Sequence, residues 1–487
     1  MPTADPKAYG SSWYAATAVA SPPRGRLAVE LDVDVCVVGA GLAGLTAARE
    51  IARRGWSVVV LEARRVASGA SGRNTGFVLP GFAADPGTVV ARVGRDGARS
   101  LWALSDAGVQ YIRNTIAETA MPGVELSEGG WLHVSKTDAA FPPRDAVDVL
   151  AGEFGAEVEA WSAGRVQSVL KSPHYFGALF YPRAFSIHPL NYALGLATAA
   201  EAAGARICEE TPALEIDPAG VRKRVVTPNA RVRAAHVVLA GNVDMRKLMP
   251  QVASTLLPVS TYVLTTSPLG ERLGEAIAFP GAVSDTDLAD NHYRVVDGDR
   301  LMWSGRSTVW PGDPQRHAAS LTHDLARTYP QLGRVSVEYA WTGTLGLTVH
   351  RMPQIGELSP GLWLLGGFGG HGLNTTAMAG ELIARAIVED DKTWRQFLPF
   401  ELVWAGGLFG RVAAQAYYWT HRTRERVAVP RAHKRDAAAR HDAERKRLAV
   451  EKAATVPVAA APAFAAPAPA ETPKLPEVEF VSGSKPS

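Results

Sequence analysis

A glycine-rich turn between an apolar strand and a helix constrains this chain more than any other feature. The segment DVDVCVVGAGLAGLTAAREIARRGWSVVVLEA predicts a strand over 33–38, a turn over 39–44, a helix to about residue 54 and a strand over 57–62. In such a βαβ unit the glycines permit a tight turn, let a pyrophosphate approach the backbone and allow close helix packing. The sequence therefore predicts a dinucleotide site at six consecutive residues: Gly39, Ala40, Gly41, Leu42, Ala43 and Gly44.

The second strand of this unit ends at an acidic residue, Glu62, which is followed by Ala63. A carboxylate at this distance from the glycine turn takes the ribose hydroxyls of a dinucleotide. It would repel a ribose 2′-phosphate, which disfavours NADP. We include Ala63 in this predicted contact, and the unit alone leaves NAD and FAD both open.

The loop RRVASGASGRNTG follows the second strand and is crowded with small and hydrogen-bonding side chains. An isolated loop of this kind would be interpreted as surface. Because it comes directly after the βαβ unit, we interpret it as a second wall around the cofactor. The residues concerned are Ser71, Gly72, Arg73 and Asn74.

A second glycine cluster, GGFGGHG over 366–372, runs into a helix that is predicted to begin near Leu373. If the N-terminus of this helix faces the same cleft, its dipole stabilises negative charge on a ring reduced by hydride. A flavin is such a ring. The length of the cluster therefore favours FAD over NAD, and a simple strand-to-helix turn is the alternative.

The composition of the chain narrows the classes of protein to which it can belong. A chain of 487 residues predicts more than one domain, and a net charge of +3 that comes from the C-terminal segment gives no support to nucleic-acid binding. Cys36 and Cys208 are far apart and lack metal-ligand spacing, so we expect no metal site and no disulfide. With no secretory signal in the first thirty residues, these features predict a cytoplasmic protein.

The C-terminal part changes in character. The segment LVWAGGLFGRVAAQAYYW, 402–419, is too interrupted by glycine and polar residues to predict a membrane span. We interpret it as a helix that packs its apolar face on the body, with a membrane-surface helix as the alternative. Residues 431–487 predict a flexible tail, first basic and then Ala/Pro-rich, and the basic stretch allows a peripheral membrane contact.

Several motifs together resemble those of the D-amino-acid oxidase and glycine oxidase superfamily of FAD-dependent amine oxidoreductases. They are VVGAGLAGLTAA, VVLEARRVASGASGRN, FSIHP, VVLAGN and RMPQIGELSPGLWLLGGFGGHGLNTT. SWYAATA, ASGRN and NHYR followed by GDRLMWSG are most similar to the gamma-glutamylputrescine oxidoreductase-like group. The resemblance covers about residues 12–425.

This resemblance implies an α/β, overall α+β, architecture: a Rossmann-like FAD-binding domain built from several segments and a substrate domain on a large antiparallel sheet. The implied FAD-binding segments are 31–120, 175–248 and 344–427. The substrate domain would comprise 121–174 and 249–343, after an N-terminal arm over 1–30.

The resemblance also implies further cofactor contacts. Ser71, Arg73 and Asn74 would face the pyrophosphate and the flavin, and the backbone of Ala213 would contact adenine. The other implied contacts are Ala240, Gly241, Gly367, Gly370, His371, Gly372 and Leu373. Thr75 departs from the usual glycine or alanine after ASGRN. With no cysteine near RMPQIG and no histidine after ASGRN, the FAD is expected to be non-covalent.

The implied reaction removes a hydride from the carbon beside an amine nitrogen to flavin N5, and the imine is hydrolysed to an aldehyde or keto acid. The substrate expected from the likeness is a gamma-glutamylated polyamine, which suggests polyamine catabolism. His371 tunes the flavin or is an ordinary loop histidine. Tyr293, Arg294 and Arg351 hold the polar end of the substrate or are ordinary sheet and loop residues.

Three acidic residues in the segment SDTDLADNHYR, namely Asp285, Asp287 and Asp290, are further candidates because they would attract a cationic chain. The alternative is an exposed loop with no role in binding.

Other functions stay open at this stage. They are a D-amino-acid, glycine or sarcosine oxidase, an NAD-dependent dehydrogenase, and a flavin-bound interaction protein that acts through its tail. The electron acceptor is oxygen or a quinone, and the sequence indicates no oligomeric state.

Overall fold

The computed structural model describes residues 9–136, 146–286 and 291–454. Its helices, in chain order, are α1 Trp13–Ala16, α2 Leu42–Arg53, α3 Pro86–Thr119, α4 Ala146–Asp148, α5 Ala163–Val169, α6 Pro189–Ala202, α7 Pro250–Ala253, α8 Glu271–Ala276, α9 Pro314–Thr328, α10 Gly372–Glu389 and α11 Gly407–Ala454.

The strands belong to two large sheets and one short pair. In chain order they are β1 Leu31–Val38, β2 Val58–Leu61, β3 Phe77–Val78, β4 Trp131–Val134, β5 Glu159–Trp161, β6 Ala178–Tyr181, β7 Phe185–Ser186, β8 Arg206–Cys208, β9 Glu215–Asp217, β10 Lys223–Val226, β11 Arg231–Leu239, β12 Leu257–Thr266, β13 Ala282–Asp285, β14 His292–Val296, β15 Arg300–Thr308, β16 Val337–Leu347, β17 Gln354–Ser359 and β18 Leu362–Gly366.

The first sheet has a parallel centre. Its main order is β17-β18-β11-β1-β2-β8, and β18, β11, β1, β2 and β8 run parallel. Val37 of β1 lies opposite Val238 of β11 and Val60 of β2. Such continuous apolar strands fit a sheet that is buried on both faces. The predicted α/β fold class is confirmed.

The second sheet has the order β16-β12-β15-β14-β13-β4-β6-β5. Its neighbours run antiparallel, except that β4 and β13 run parallel. A Cβ at Gly129 would lie 2.3 Å from the backbone nitrogen of Gly281, so these glycines let the two chains approach immediately before the parallel pair. Strand β6 pairs with β5 in this sheet, whereas the sequence placed 175–248 wholly in the cofactor domain. That predicted boundary is wrong because β5 and β6 form a local antiparallel pair.

Two helices that begin at glycines pack tightly on each other. A Cβ at Gly380 of α10 would lie 2.5 Å from Cβ of Thr46 in α2, so the small residue permits close contact. This contact packs the two helices closely against each other. Their N-termini, at Leu42 and Gly372, consequently occupy defined positions relative to each other.

The C-terminal helix differs from two predictions. Its apolar residues Leu408 and Phe409 are exposed, so the prediction that 402–419 packs its apolar face on the body is wrong. The compact unit extends to Asp436 instead of ending at 430, since Ala432 is buried and the His433 ring stacks 5.0 Å from that of Phe176. Within the described residues, no helix is long and apolar enough to cross a bilayer. The rest of the predicted tail, 455–487, lies outside them.

Candidate active site

A cavity of about 390 Å³ lies at the carboxyl ends of the central strands of the first sheet and against one face of the second. Such strand ends are where open α/β sheets bind ligands. The predicted residues that line it are Gly41, Leu42, Ala43, Ser71, Arg73, Asn74, Ala240, Arg351, Gly370, His371, Gly372 and Leu373.

The first wall of the cavity is the glycine turn at the start of α2. Gly39 has φ +109°, a conformation that favours glycine, and a Cβ there would lie 2.7 Å from the Ala240 carbonyl oxygen. A Cβ at Gly44 would lie 2.1 Å from the Gly39 carbonyl oxygen. Gly39 and Gly44 therefore shape the turn from behind, while Gly41 faces the cavity.

The second wall is the loop after β2. The Ser71 hydroxyl oxygen accepts a hydrogen bond from the backbone N–H of Leu42 at 3.0 Å, which joins this loop to the start of α2. Asn74 donates to the Ser71 carbonyl at 2.8 Å and accepts from the backbone N–H of Gly76 at 2.9 Å. Arg73 donates to the Ser68 carbonyl at 3.0 Å. These bonds hold the loop beside the glycine turn.

The third wall is the start of α10. Gly370, His371, Gly372 and Leu373 all line the cavity. A Cβ at Gly370 or Gly372 would meet nothing within 4 Å, so the backbone here borders open space. The N-termini of α2 and α10 thus face one cavity, and each directs the positive end of a helix dipole toward it. This arrangement explains why the chain carries two glycine clusters.

Glu62 lies behind the turn and does not line the cavity. Its carboxylate accepts hydrogen bonds from the backbone N–H groups of Ala40 and Arg64, both at 2.8 Å. Burial raises the pKa of Glu62, and these two hydrogen bonds oppose that shift. The backbone N–H of Thr211 donates to the Glu62 carbonyl at 2.8 Å, which brings the loop that carries Ala213 beside the end of β2.

The remaining predicted cofactor residues do not line the cavity. Gly367 has φ +67°, and a Cβ there would lie 2.5 Å from a Thr348 methyl carbon. The predicted residues outside the lining are Gly39, Ala40, Gly44, Glu62, Ala63, Gly72, Ala213, Gly241 and Gly367.

Three histidines meet at the side of the cavity formed by the second sheet: His133, His292 and His371. Burial, together with the neighbouring His292, lowers the pKa of His371 to about 4. Burial also lowers the pKa of His292 to about 4, although the charge of Asp285 opposes this. Burial likewise lowers the pKa of His133. All three imidazoles are therefore neutral at pH 7.

A serine and a tryptophan orient His292. Trp131 Nε1 donates to the Ser284 hydroxyl oxygen at 2.9 Å, and that oxygen lies 2.6 Å from His292 Nδ1. This hydrogen bond fixes the orientation of the imidazole whichever of the two atoms donates. Trp131 and His133 are two residues apart on β4, so they lie on the same face of the strand and both line the cavity. Sequence reasoning missed these two residues and His292.

Tyr293 does not reach the cavity, contrary to the prediction. Its side chain is fully buried on the other face of β14, and its hydroxyl is bonded to those of Tyr175 and Tyr329 at 3.1 and 2.7 Å. Arg294 is also buried. It donates to the carbonyls of Thr75 and Ile187, so it holds the cofactor loop in place instead of binding substrate.

Arg351 lies at the mouth of the cavity and is exposed. Its φ is +58°, and its guanidinium forms no ion pair within the described residues. Asp285 is instead fully buried and paired with Lys136 at 2.6 Å, so it cannot attract a cationic substrate as predicted. Asp287 and Asp290 lie outside the described residues.

These walls fit a flavin dinucleotide. The start of α2, where a side chain at Gly41 would meet the Ser71 hydroxyl at 3.0 Å, leaves room only for a group that lies against the backbone, such as a pyrophosphate. The open backbone at Gly370 and Gly372 suits a flat ring whose reduced form is anionic. Among the described residues, no group of acidic, histidine or cysteine side chains is arranged to hold a metal ion.

Comparison with known proteins agrees with this geometry. Residues 34–386 match the family model of FAD-dependent oxidoreductases named DAO. The chain is 33% identical to gamma-glutamylputrescine oxidoreductase of Escherichia coli over 393 residues, which cover 80% of this chain and 91% of that protein. A probable oxidoreductase of Haemophilus influenzae is 31% identical and covers 74% of this chain and 84% of its own length.

Solved structures show the same fold. Glycine oxidase from Geobacillus kaustophilus superposes with a TM-score of 0.64 at 22% identity, covering 77% of this chain and 99% of that one. L-amino acid deaminase from Proteus vulgaris gives a TM-score of 0.64 at 17% identity, covering 79% and 99%. At these identities the likeness concerns the fold alone.

Proposed function

The chain belongs to the DAO family of FAD-dependent oxidoreductases, and on this premise we propose that it oxidises an amine of the gamma-glutamylputrescine type. The family acts on amines and amino acids with FAD as cofactor. The observation that supports the finer proposal is the polarity of the cavity: it has neutral histidines inside and, at its mouth, an arginine that no acidic residue of the described part of the chain pairs with.

The interior suits an amine in its neutral form. His292 and His371 have pKa values of about 4, so they remain uncharged at pH 7 and accept or donate hydrogen bonds without repelling the substrate. Such low pKa values make them poor proton acceptors, and the amine therefore loses its proton to solvent before or during binding. Trp131, Phe77 and Val263 exclude water from the same region.

FAD, when bound, would supply the oxidant for removal of a hydride from the carbon beside the nitrogen. The chain contributes orientation: the walls fix the ring, and the histidines position the nitrogen so that its lone pair assists C–H cleavage. The imine that results is hydrolysed to an aldehyde. Oxygen or a quinone would be the final acceptor of the two electrons.

Arg351 supports a substrate with a carboxylate far from the reacting amine. A charge-assisted hydrogen bond is worth about 1.5–3 kcal/mol, and Arg351 has no partner within the described residues. A gamma-glutamyl group would carry its carboxylate to this position, whereas putrescine has nothing to place there. The arginine therefore distinguishes the glutamylated amine from the free one.

The test is a comparison of KM and kcat for gamma-glutamylputrescine and putrescine. Arg351→Gln is expected to raise KM for gamma-glutamylputrescine by about tenfold to a hundredfold, from the free energy above, with little change for putrescine. Arg316→Gln is the control, because Arg316 is exposed and lies outside the cavity. Equal effects of Arg351→Gln on both amines, or no effect on either, would contradict the assignment of Arg351.

A further inference from the structure

The first turns of α11 bury polar side chains and expose apolar ones, which is the reverse of an ordinary surface helix. Arg411 Nη2 donates to the Val309 carbonyl at 2.6 Å, and the side-chain oxygen of the buried Gln415 accepts from the Val309 N–H at 3.1 Å. Tyr418 lines the catalytic cavity. The polar and amphipathic side of the helix therefore packs on the protein, whereas globular helices usually bury their apolar side.

The rest of the surface of these turns presents large apolar groups to solvent. Phe409 is 83% exposed, Trp419 67% and Leu408 66%. We call the outer face, with the residues that lead into the helix, the apolar helix face: Leu402, Val403, Trp404, Leu408, Phe409, Val412, Tyr417 and Trp419. A concentration of exposed apolar side chains in one segment marks an interaction site in a folded protein.

We propose that the apolar helix face docks the protein onto an anionic lipid bilayer. Aromatic and aliphatic side chains beside basic residues are the composition of helices that lie in the membrane interface. Residues 407–436, the part of the helix in the same compact unit as the face, contain seven lysines and arginines and two acidic residues, so this part of the helix is basic. An anionic leaflet attracts such segments. The helix is not apolar enough to cross a bilayer, so it lies on the surface.

The charge of the segment favours lipid over a second copy of this chain. Pairing two apolar helix faces would place two basic helices side by side, and like charges oppose that contact. Trp404, Tyr417 and Trp419 also suit a bilayer, because tryptophan and tyrosine concentrate at the boundary between headgroups and acyl chains.

Docking through this face would orient the catalytic cavity. Tyr418 is on the same helix as Phe409 and Trp419, but it points inward to the cavity lining. The side of the protein that meets the membrane therefore adjoins the cavity. The proposal depends on this surface and not on the identity of the amine that is oxidised.

The test is sedimentation of the full-length flavin-containing protein with phospholipid vesicles. The vesicles contain phosphatidylcholine alone or phosphatidylcholine with phosphatidylglycerol. We expect binding to the anionic vesicles, weaker binding to the neutral ones, and loss of binding at high salt. The double variant Phe409→Ser, Val412→Ser is expected to lower the partition onto anionic vesicles by about tenfold or more.

Val221→Ser is the matched control, because Val221 is 87% exposed but lies outside this face. It should bind as the wild type does, and flavin content should be equal in all three proteins. Wild-type protein that does not bind anionic vesicles would overturn the proposal. The proposal would also be overturned if the double variant bound anionic vesicles normally while deletion of 437–487 abolished binding. A third contrary result would be a dimer that the double variant disrupts, with no binding to vesicles.

Discussion

Gly44→Ala is the substitution whose effect the structure defines most sharply. Gly44 lies in α2, where alanine is otherwise favoured over glycine by about 1 kcal/mol. An added Cβ would lie 2.1 Å from the Gly39 carbonyl oxygen, 3.1 Å from a Val37 methyl and 3.3 Å from Cβ of Ala240. The nearest atom is backbone, so the helix or the turn itself must move.

The magnitude follows from these opposing effects. Overpacking of this kind costs about 1–3 kcal/mol and sometimes more, which exceeds the gain in helix propensity and leaves a net loss of up to about 2 kcal/mol. Because Gly41 and Leu42 at the same helix start line the cavity, the movement also displaces the N–H groups that would face the pyrophosphate. We expect FAD to bind at least about tenfold more weakly.

Titration of the apoprotein with FAD and chemical unfolding of the holoprotein together measure this prediction. Gly41→Ala should be milder, because its Cβ would meet only the Ser71 hydroxyl at 3.0 Å. Gly274→Ala in α8 is the control, since its Cβ would meet nothing within 4 Å, and it should be neutral or slightly stabilising. Wild-type FAD affinity and stability in Gly44→Ala would refute the reasoning about the turn.

Further predictions concern the cofactor, acid stability and the C-terminal segment. Acid precipitation should release free FAD, and colour that stays with the polypeptide would show a covalent link. Gly41→Asp should abolish FAD binding because it puts a negative charge against the pyrophosphate; full flavin occupancy after purification would contradict this. The pKa of His292 is about 4 in the folded protein and about 6.5 when unfolded, so the unfolded chain binds more protons between these values and stability falls by up to about 3 kcal/mol as pH drops through this window. His292→Gln should make urea-unfolding free energies depend less steeply on pH there, and identical slopes would argue against the shift. Deletion of 437–487 should leave flavin content and turnover unchanged, since the compact unit ends at Asp436; loss of either would assign that segment a role in folding or catalysis.

The cofactor-binding half of the site could be predicted because its requirements are local. The turn between β1 and α2 needs glycine where the backbone has φ +109° at Gly39 and where Gly44 touches the Gly39 carbonyl. These constraints act over a few residues, so they leave a recognisable glycine spacing in the sequence. The helix at Gly372 was predicted for the same reason, and the structure adds that it shares a cavity with the first.

The substrate half was predicted poorly because it depends on which face of a strand is turned inward. In β14 the sequence suggested Tyr293, but residues alternate along a strand, and His292 is the one that faces the cavity. Nothing local in NHYR decides between the two faces. Asp285 lies in an acidic segment of the kind expected at the surface, yet it is buried and pairs with Lys136.

The C-terminal helix shows a different limit of prediction from the sequence. An apolar stripe usually predicts the buried side of a helix, and on that basis the segment 402–419 was predicted to pack its apolar face on the body. The structure instead turns Arg411 and Gln415 inward, because both side chains satisfy the backbone of Val309. A polar side chain that satisfies a buried backbone group is a tertiary contact and leaves no local sequence pattern.

Anaerobic reduction of the bound flavin tests the central claim most directly. Purified holoprotein is mixed without oxygen with gamma-glutamylputrescine, putrescine, glycine, sarcosine or a set of D-amino acids, and loss of the yellow flavin absorbance is followed. The account predicts rapid bleaching by gamma-glutamylputrescine, with one substrate consumed per flavin and an aldehyde as product, and much slower bleaching by the amino acids. Rapid bleaching by an amino acid, with none by either putrescine compound, would contradict it.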